Sequence, residues 1–555
     1  MPATDRPRSS LLPLAAGWLA AGVGIMNLVS ALTTELPRRL GALAGLAPHE
    51  LVLTAHALAL PAGVGLVVIA RHLALRRRRA LHVALGLLVA AGALNLLKGL
   101  DVEEAAASWA LAAVLWWSRD AFCVRHDPGR LPVALCQVAT LVAAATVTAV
   151  GAVALATHGS RGLGGTLLEA LHSLVLGGWD YPVRDGYGWL PLGAGFLGAV
   201  TLVACAAALF RPLAAEGRRH AGDARRLVRA HGADTLSFFK LRGDLHHLFT
   251  ADRRAFASYR IERGVLLVSG DPVGDPGALP ALARDLRAFA DIRGLRLGVV
   301  GAGESSQRLF ATIGLRSLYL GDEAIVETAG FTLDGRRMKK VRQATYRLAR
   351  HGYGCEWRRL GDLSPDELST LERVSARWRG KAPERGFSMA MDTLRGEHLD
   401  ETVVVLARDP EGAVRGFLHL VPSYGRPALS LSAMRRDPDT PNGLIDVLVV
   451  RAVELARERG IQELSLNFAA FARLMHDPSG PRDRLLGRLV ALGNPLFQIE
   501  SLYRFNAKFH PRWEPRHLLH EGPLDLPRTA LAALQAEGQM PRLGALRQRP
   551  ATVAG

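Results

Sequence analysis

Long runs of apolar side chains dominate the first 210 residues, and regularly spaced charged residues replace them afterwards. A helix needs ~20 apolar residues to cross a membrane, because the hydrocarbon core offers no water to backbone groups. Runs that reach or approach this length are Leu11–Leu32, Leu51–Ile69, Ala80–Leu97, Ala105–Phe122, Val133–Thr157 and Leu190–Phe210. We therefore predict a transmembrane domain of about six helices over residues 1–210.

Basic residues lie in alternate loops of this domain, and short cytoplasmic loops are the ones that keep Lys and Arg. The arginine-rich loops precede the first apolar run and follow the second and the fourth: Arg6, Arg8, Arg71, Arg76, Arg77, Arg78, Arg79, Arg119, Arg125 and Arg130. The first run lacks a clear cleavage site, so we expect it to be retained. The pattern predicts a multi-pass plasma-membrane protein whose N-terminus and whose residues after Phe210 face the cytoplasm.

Two stretches after residue 235 follow one plan. In the first, RGVLLVSGD predicts a strand, ALPALARDLRAFADIRG an amphipathic helix and LRLGVVGAG a buried strand. In the second, a hairpin within ETVVVLARDPEGAVRGFLHLVP is followed by the helix LIDVLVVRAVELARERG and the strand IQELSLNFA. Such a repeat indicates two copies of one mixed α/β unit packed together.

The domain limits follow from these patterns. Residues 211–235 form a basic juxtamembrane linker, which either lies along anionic headgroups or is a solvated helix. We predict a first α/β unit over 236–345, a second, catalytic unit over 346–523 and a poorly ordered tail over 524–555.

The net charge of +17 is strongly basic, and the densest cationic run joins the two units. Seven cations without interleaved acids fall in FTLDGRRMKKVRQATYRLARHGYG. A solvated helix face is the usual explanation of a charge run, but this one favours a polyanion surface, either tRNA or lipid headgroups. The candidate contacts are Arg336, Arg337, Lys339, Lys340 and Arg342.

Three polar motifs in the second unit are candidates for chemistry. Trp378 and Lys381 lie in a stretch that forms either a pocket wall or an ordinary helix end. Asn442 precedes a helix whose first turn holds Asp446, which either complements the helix dipole or binds a substrate amine. The third motif, QIESLYRFNAKFHPRWEPRHLL, is dense in cations and aromatic residues.

The sequence contains no motif for several other kinds of chemistry. The four cysteines are widely separated, so we predict no metal site and no disulfide framework. No GxSxG, HExxH or GxxxxGK[ST] motif occurs. The turn RRDPDTPNG has a single glycine, which disfavours the coenzyme A pyrophosphate and leaves no cofactor implied.

The chain resembles the bacterial aminoacyl-phosphatidylglycerol synthases, the lysylphosphatidylglycerol synthase or multiple-peptide-resistance family, from about Ser237 to Leu519. The matching motifs are FFKLRGDLHHLF, VSGDPVGD, YLGDEAIVETAGFTLDGRRMKKVRQATYRLARHGYG, SARWRGKAPERGFSM, NGLIDVL and SLYRFNAKFHPRWEPRHLL. The resemblance implies a multi-pass α-helical membrane domain followed by an α/β (α+β) tandem acetyltransferase-like (dual GNAT) cytoplasmic domain. Larger family members also have a lipid-flipping domain, whereas this chain resembles the synthase-associated part alone.

The resemblance also implies transfer of an amino acid from aminoacyl-tRNA to a hydroxyl of phosphatidylglycerol at the inner leaflet. This reaction lowers the negative charge of the membrane and gives resistance to antimicrobial peptides. The implied partners are aminoacyl-tRNA, phosphatidylglycerol or a related phospholipid, and the membrane, with a homo-oligomer left open. The alternatives are a membrane-tethered acyltransferase with another donor, such as acyl-CoA, and a transporter with a regulatory cytoplasmic domain.

Site roles follow from the same motifs as expectations. Lys508 is the candidate for the oxyanion or the terminal tRNA phosphate, and Asp446 and Glu500 are candidates for binding the α-amino group or acting as general base. Arg516 is the candidate for the lipid phosphate. The substrate-binding candidates are Trp378, Lys381, Asn442, Asn467, Ser501, Tyr503, Arg504, Trp513 and Arg516.

Overall fold

The computed structural model describes residues 12–32, 49–99, 101–124, 131–157, 162–176, 190–210, 220–380, 386–470 and 499–540. Its Cα positions divide the chain into two compact units. The first consists of residues 1–215 with the stretch 291–294, and the second of residues 216–290 and 295–555.

The described part of the first unit is helical. Its helices are α1 (Leu12–Leu32), α2 (His49–Ala74), α3 (Arg78–Gly99), α4 (Val102–Trp117), α5 (Leu131–Thr157), α6 (Leu163–Leu176) and α7 (Leu190–Leu209). Each predicted apolar run overlaps one of them, and α6 is an additional helix that the sequence did not predict. Among the described residues, three segments are long and apolar enough to cross a membrane: Leu12–Val29, Arg78–Leu96 and Pro132–Ala156.

Small residues let the first two helices approach closely. A Cβ atom added to Gly24 would lie 2.8 Å from the carbonyl oxygen of Gly63, and one added to Gly17 would lie 2.8 Å from that of Ala70. Such contacts allow apolar helices to associate through backbone packing. In addition, Asn95 Nδ2 donates a 2.7 Å hydrogen bond to Asn27 Oδ1, which pairs two polar side chains between α1 and α3.

The second unit is a mixed α/β domain. Its helices are α8 (Ala221–His231), α9 (Leu279–Ile292), α10 (Glu304–Ala311), α11 (Lys339–Arg350), α12 (Pro365–Arg379), α13 (Leu444–Glu458), α14 (Ile499–Ala507) and α15 (Leu526–Ala536). Its strands are β1 (His246–Phe249), β2 (Ala255–Glu262), β3 (Val265–Ser269), β4 (Val273–Gly274), β5 (Arg296–Ala302), β6 (Arg316–Glu327), β7 (Gly354–Arg359), β8 (Val403–Arg408), β9 (Val414–Ser423), β10 (Ala428–Arg436), β11 (Glu463–Ala470) and β12 (Arg512–His520).

All the strands join one twelve-stranded sheet with the order β1-β2-β3-β5-β12-β6-β11-β10-β9-β8-β7, and β4 pairs with β2. Strands β3 and β5 are parallel and connected through α9. Strands β10 and β11 are parallel and connected through α13. These two strand–helix–strand crossovers are the predicted repeat, so the predicted fold class is confirmed.

The two repeats exchange their last strands. Strand β6, which ends the first repeat, pairs with β11 of the second through Leu464 and Val326. Strand β12, which ends the second repeat, pairs with β5 of the first through Leu518 and Val300. Because β6 and β12 also pair with each other, a single sheet runs through both repeats.

Side chains of the second repeat alternate between two faces of the sheet, as in any strand. Leu418 and Leu420 of β9 pack with α11 and α13 in one core cluster. Phe417 faces the opposite side and packs with α12 and with Ala224 of α8 in another. Helix α8 in the predicted linker therefore contributes to the domain core.

The predicted poorly ordered tail also differs from the structure. Helix α15 begins at Leu526 and buries Ala532 and Ala536 against Val265 and Leu267 of β3. The apolar spacing in LPRTALAALQA allows this packing, because its alanines fall on one helical face. Residues 541–555 lie outside the described part of the chain.

Candidate active site

The second repeat opens between its two parallel strands. Strands β10 and β11 pair only from Ala428 to Ser430 on one side and from Glu463 to Ser465 on the other. Beyond these residues Asn467 has a φ of +71°, a left-handed conformation that is uncommon for residues other than glycine. Its Nδ2 atom donates a 2.9 Å hydrogen bond to the carbonyl of Leu431 and another to that of Met389. Asn467 therefore lies at the start of an opening between the strands.

The turn before α13 is shaped by close packing. Gly443 has a φ of +96°, and a Cβ atom there would lie 2.8 Å from the Cβ of Ala344 in α11. Arg347 of α11 donates a hydrogen bond to the carbonyl of Asn442. Only glycine satisfies both the conformation and the contact. The basic helix α11 is thereby held against the N-terminus of α13, which contains Asp446.

Lys508 and Asp446 form an ion pair. The Lys508 Nζ atom lies 2.9 Å from Oδ1 and 3.2 Å from Oδ2 of Asp446. Lys508 follows α14, which packs against β11, whereas Asp446 lies in the first turn of α13, the helix that follows β10. The Lys508 side chain is 40% exposed and that of Asp446 is 15% exposed. The pair thus brings together a cation and a carboxylate that solvent and a substrate can reach.

One aromatic ring, that of Phe505, contacts Lys508, and a stacked aromatic pair joins α14 to β12. The Tyr503 and Trp513 rings stack with centroids 5.1 Å apart, and Lys508 Nζ lies 5.0 Å from the centroid of Phe505. Arg504 is exposed on α14. Asn506, on the same helix, is 1% exposed, and neither of its amide atoms has a hydrogen-bonding partner in the described part of the chain. The sequence motif contained Asn506, but only burial distinguishes it from its neighbours.

A cavity of about 190 Å³ lies on the other face of the sheet. It is lined by Glu372, Ser375, Arg379, Met391, Asp392, Thr393, Leu394, Phe417, His419, Ser432, Ala433 and Arg435. Trp378 stands beside it, 47% exposed, with the Arg435 guanidinium 4.4 Å from the centre of its ring. Burial lowers the pKa of His419 to about 3, so this side chain is neutral. The sequence singled out Trp378 but missed Asp392 and His419.

Arg516 lies in a buried charge cluster in the centre of the sheet. It is 3% exposed and donates a 2.9 Å hydrogen bond to Glu323 and a 2.6 Å hydrogen bond to Asp234. Burial lowers the pKa of Arg516, but the charges of Asp234 and Glu323 outweigh it and raise the pKa well above its ordinary value. These contacts give Arg516 a structural role between strands, which differs from the expected role at a lipid phosphate.

Lys240 completes this cluster. It is 1% exposed, and burial, the largest effect on it, lowers its pKa. Burial raises the pKa of Asp234, but Arg516 and then Lys240 outweigh it and lower this pKa. The cluster therefore depends on mutual compensation of buried charges.

Helix α11 presents the expected cationic surface. Met338, Val341, Ala344 and Leu348 are buried along one face. In α11 and the turn before it, the exposed cations that form neither an ion pair nor a side-chain hydrogen bond with a described residue are Arg336, Arg337, Lys339, Lys340 and Arg350, whereas the exposed Arg347 bonds to the carbonyl of Asn442. Arg342 differs, because it donates hydrogen bonds to the carbonyls of Leu333 and Gly335 and so holds the preceding loop.

The remaining sequence candidates cannot be placed. Lys381 lies outside the described residues, and the side chains of Glu500 and Ser501 do as well, although α14 includes both positions.

The family is established by the sequence. The family described as phosphatidylglycerol lysyltransferase, C-terminal, matches residues 225–520, which is more than half of the chain. This chain therefore belongs to that family, and the family resemblance predicted from the motifs is confirmed.

Individual relatives agree with this assignment. The lysylphosphatidylglycerol biosynthesis bifunctional protein LysX of Rhodococcus jostii is 37% identical over 361 residues, which cover 63% of this chain and 32% of that protein. LysX of Mycolicibacterium gilvum is 33% identical over 495 residues, 85% of this chain and 45% of that protein. The chain thus spans about a third to a half of the length of these relatives.

Solved structures share the fold. L-PGS from Bacillus licheniformis superimposes with a TM-score of 0.52 at 23% identity, covering 57% of this chain and 97% of that one. The C-terminal domain of a putative lysylphosphatidylglycerol synthetase from Agrobacterium fabrum superimposes with a TM-score of 0.50 at 26% identity, covering 58% of this chain and 98% of that one.

Proposed function

We propose that this chain transfers an aminoacyl group from aminoacyl-tRNA to a hydroxyl group of phosphatidylglycerol at the cytoplasmic face of the membrane. The proposal rests chiefly on the Lys508–Asp446 ion pair, with Lys508 Nζ 2.9 Å from Asp446 Oδ1. Both residues lie within the segment that matches the phosphatidylglycerol lysyltransferase family. The apolar helices of the first unit and the arginine-rich alternate loops support a multi-pass membrane protein with its second unit in the cytoplasm.

The chemistry needs few groups because the ester of aminoacyl-tRNA is already activated. The lipid hydroxyl attacks the ester carbonyl, a tetrahedral intermediate forms, and the bond to the tRNA ribose oxygen breaks. The proton lost by the lipid hydroxyl ends on that ribose oxygen. A donor for the oxyanion, a base for the proton and correct orientation are therefore sufficient.

Lys508 and Asp446 supply two of these elements in the proposal. An ammonium group has three donors, so Lys508 can hold Asp446 and still donate to an oxyanion or to the terminal tRNA phosphate. Asp446 accepts a proton from the hydroxyl or binds the α-ammonium group of the amino acid. The Phe505 ring, 5.0 Å from Lys508 Nζ, offers an apolar surface beside these groups.

Donor transfer is tested with membranes that contain the full chain. Labelled lysyl-tRNA is expected to deliver label to a chloroform-extractable lipid, and RNase treatment of the donor is expected to abolish it. Transfer that requires acyl-CoA instead would favour the second acyltransferase hypothesis. Lipid movement without label transfer would favour a transporter.

The cationic face of α11 is proposed to bind tRNA, since this helix contacts the turn before Asp446 through Ala344 and Arg347. The double variant Lys339→Glu/Lys340→Glu is expected to raise KM for aminoacyl-tRNA at least tenfold and to leave kcat unchanged. The slope of log KM against log salt should fall by about 0.7–0.9 for each phosphate that the variant no longer neutralises. Steady-state kinetics at several salt concentrations measure both effects.

Arg284→Glu is the matched control, because Arg284 is exposed on α9 in the other repeat. It should change neither KM nor the salt slope. If the α11 variant instead raises KM for phosphatidylglycerol vesicles and leaves that for tRNA unchanged, the face binds headgroups and the tRNA assignment is wrong.

A further inference from the structure

Helix α11 carries an exposed aromatic side chain, that of Tyr346. The residue is 64% exposed, although tyrosine usually buries most of its large apolar ring. Within the described part of the chain, its ring stacks on no other ring and its hydroxyl group forms no hydrogen bond. The fold therefore does not use this ring, and a ligand can reach it.

Tyr346 lies on the same stripe of α11 as two unpaired cations. Lys339 precedes it by seven residues and Arg350 follows it by four, and residues at these spacings share one face of an α-helix. Neither cation forms an ion pair or a side-chain hydrogen bond with a described residue. The stripe therefore places an aromatic ring between two positive charges.

This combination is typical of surfaces that bind single-stranded nucleic acid. Cations follow the phosphates, and an exposed ring stacks on a base, since every base has a flat π face. Double-stranded RNA presents its phosphates and sugars instead, because its bases are stacked within the helix. The stripe therefore favours an unpaired strand over a duplex.

A membrane surface fits α11 less well. Helices that lie in the membrane interface insert an apolar face among the lipids. The apolar face of α11 consists of Val341, Ala344 and Leu348, and it is already buried in the core of the second repeat. The exposed side of α11 is rich in cations and carries a single ring, so a polyanion with bases is the better partner.

The stripe also lies near the Lys508–Asp446 pair. A Cβ atom added to Gly443 would lie 2.8 Å from the Cβ of Ala344 in α11. Asp446 follows Gly443 by three residues, and Tyr346 follows Ala344 by two. Because a chain spans at most ~3.6 Å per residue, the Cα atoms of Tyr346 and Asp446 are no more than about 25 Å apart. A few unpaired nucleotides can bridge this distance.

We infer that Tyr346 stacks on an unpaired base at the 3′ end of aminoacyl-tRNA, while the cations of α11 bind the neighbouring phosphates. This inference rests on the proposed function, because it names the part of the tRNA that this face binds. A tRNA carries its amino acid on a short unpaired 3′ end, so the strand that reaches the Lys508–Asp446 pair is single-stranded. The stacked base fixes the direction from which this strand approaches the pair.

Binding is measured with the full chain in phosphatidylglycerol-containing nanodiscs and two uncharged RNA hairpins. One hairpin has the unpaired 3′ extension of a tRNA, and the other has abasic nucleotides at the same positions, so that the two differ in bases and not in phosphates. The first is expected to bind about tenfold more tightly, the effect of one base stack. The base analogue 2-aminopurine, placed at each position of the extension in turn, is expected to lose fluorescence at one or more positions, because stacking quenches it.

Tyr346→Ala is expected to reduce the preference to about threefold or less and to abolish the quenching. Tyr346→Phe keeps both, because its ring still stacks. The salt dependence of binding is unchanged in Tyr346→Ala, which removes no charge, whereas Lys339→Glu weakens the binding of both hairpins and lowers the salt slope. The control is Leu531→Ala, which truncates an exposed side chain on α15 and should change none of these readings.

Equal binding of the two hairpins by the unsubstituted chain, or quenching that survives Tyr346→Ala, overturns the inference. If Tyr346→Ala instead raises KM for phosphatidylglycerol and leaves RNA binding unchanged, the ring contacts lipid headgroups and the inference is likewise wrong.

The same variants separate this inference from the proposed reaction. Transfer of label to lipid, with RNA binding that does not depend on Tyr346, keeps the reaction and rejects the stacking. Quenching that depends on Tyr346, without label in the lipid from any donor, keeps the stacking and rejects the reaction.

Discussion

Lys508→Ala is expected to lower kcat for aminoacyl transfer by about 100- to 1,000-fold, the effect of removing one donor to an oxyanion. The reason is that Lys508 supplies the partly exposed ammonium group at the opening of the second repeat, 2.9 Å from Asp446. The substitution removes a side chain that is 40% exposed, so membrane insertion and folding should be unaffected. Transfer of labelled lysine from tRNA to extracted lipid measures the rate.

Asp446→Asn provides the second half of this test. If the pair acts as one unit, the double variant Lys508→Ala/Asp446→Asn should lose little more activity than the more damaging single variant. Arg284→Ala removes an exposed cation far along the sequence and should keep full activity. Full activity in both single variants would show that the reaction takes place elsewhere in the protein.

The parts of the fold that sequence could predict are those encoded by neighbouring residues. The apolar runs correctly predicted helices. The spacing of apolar residues in LIDVLVVRAVELARERG predicted α13, in which Val447, Val450 and Val453 are buried. Local pattern encodes such elements because hydrophobic periodicity follows the helix repeat. The exchange of β6 and β12 could not be predicted in this way, since it depends on pairing between distant segments.

In the candidate site, too, individual residues could be predicted from local motifs, whereas the contacts between them could not. Asp446 and Lys508 were predicted separately from two motifs, and their contact joins residues 62 positions apart. The cavity joins Asp392, His419 and Ser432 from three segments, and none of these residues stands out in its own segment. For Arg516, the motif predicted contact with a ligand, whereas in the structure its side chain is buried among carboxylates. The sequence pattern could not predict this burial.

Arg516→Met is expected to destabilise the centre of the sheet by about 3–5 kcal/mol, because it leaves Glu323 and Asp234 without their buried counter-charge. Glu323 is fully buried in β6, where hydroxyl groups of Thr235 and Ser465 can satisfy only part of a carboxylate. Amide hydrogen exchange of β6 and β12 in the full chain measures the loss locally, without assuming that both units unfold together.

The double variant Arg516→Met/Glu323→Gln is expected to recover part of that loss, since the glutamine leaves no unpaired charge in β6. A ligand for the lipid phosphate would behave differently, because its removal would raise KM for phosphatidylglycerol at unchanged amide exchange. Observing that second pattern would restore the role expected from the sequence. The expected pattern instead makes Arg516 a buried counter-charge that links β12 to Glu323 of β6 and to Asp234, in addition to the backbone pairing of the two exchanged strands.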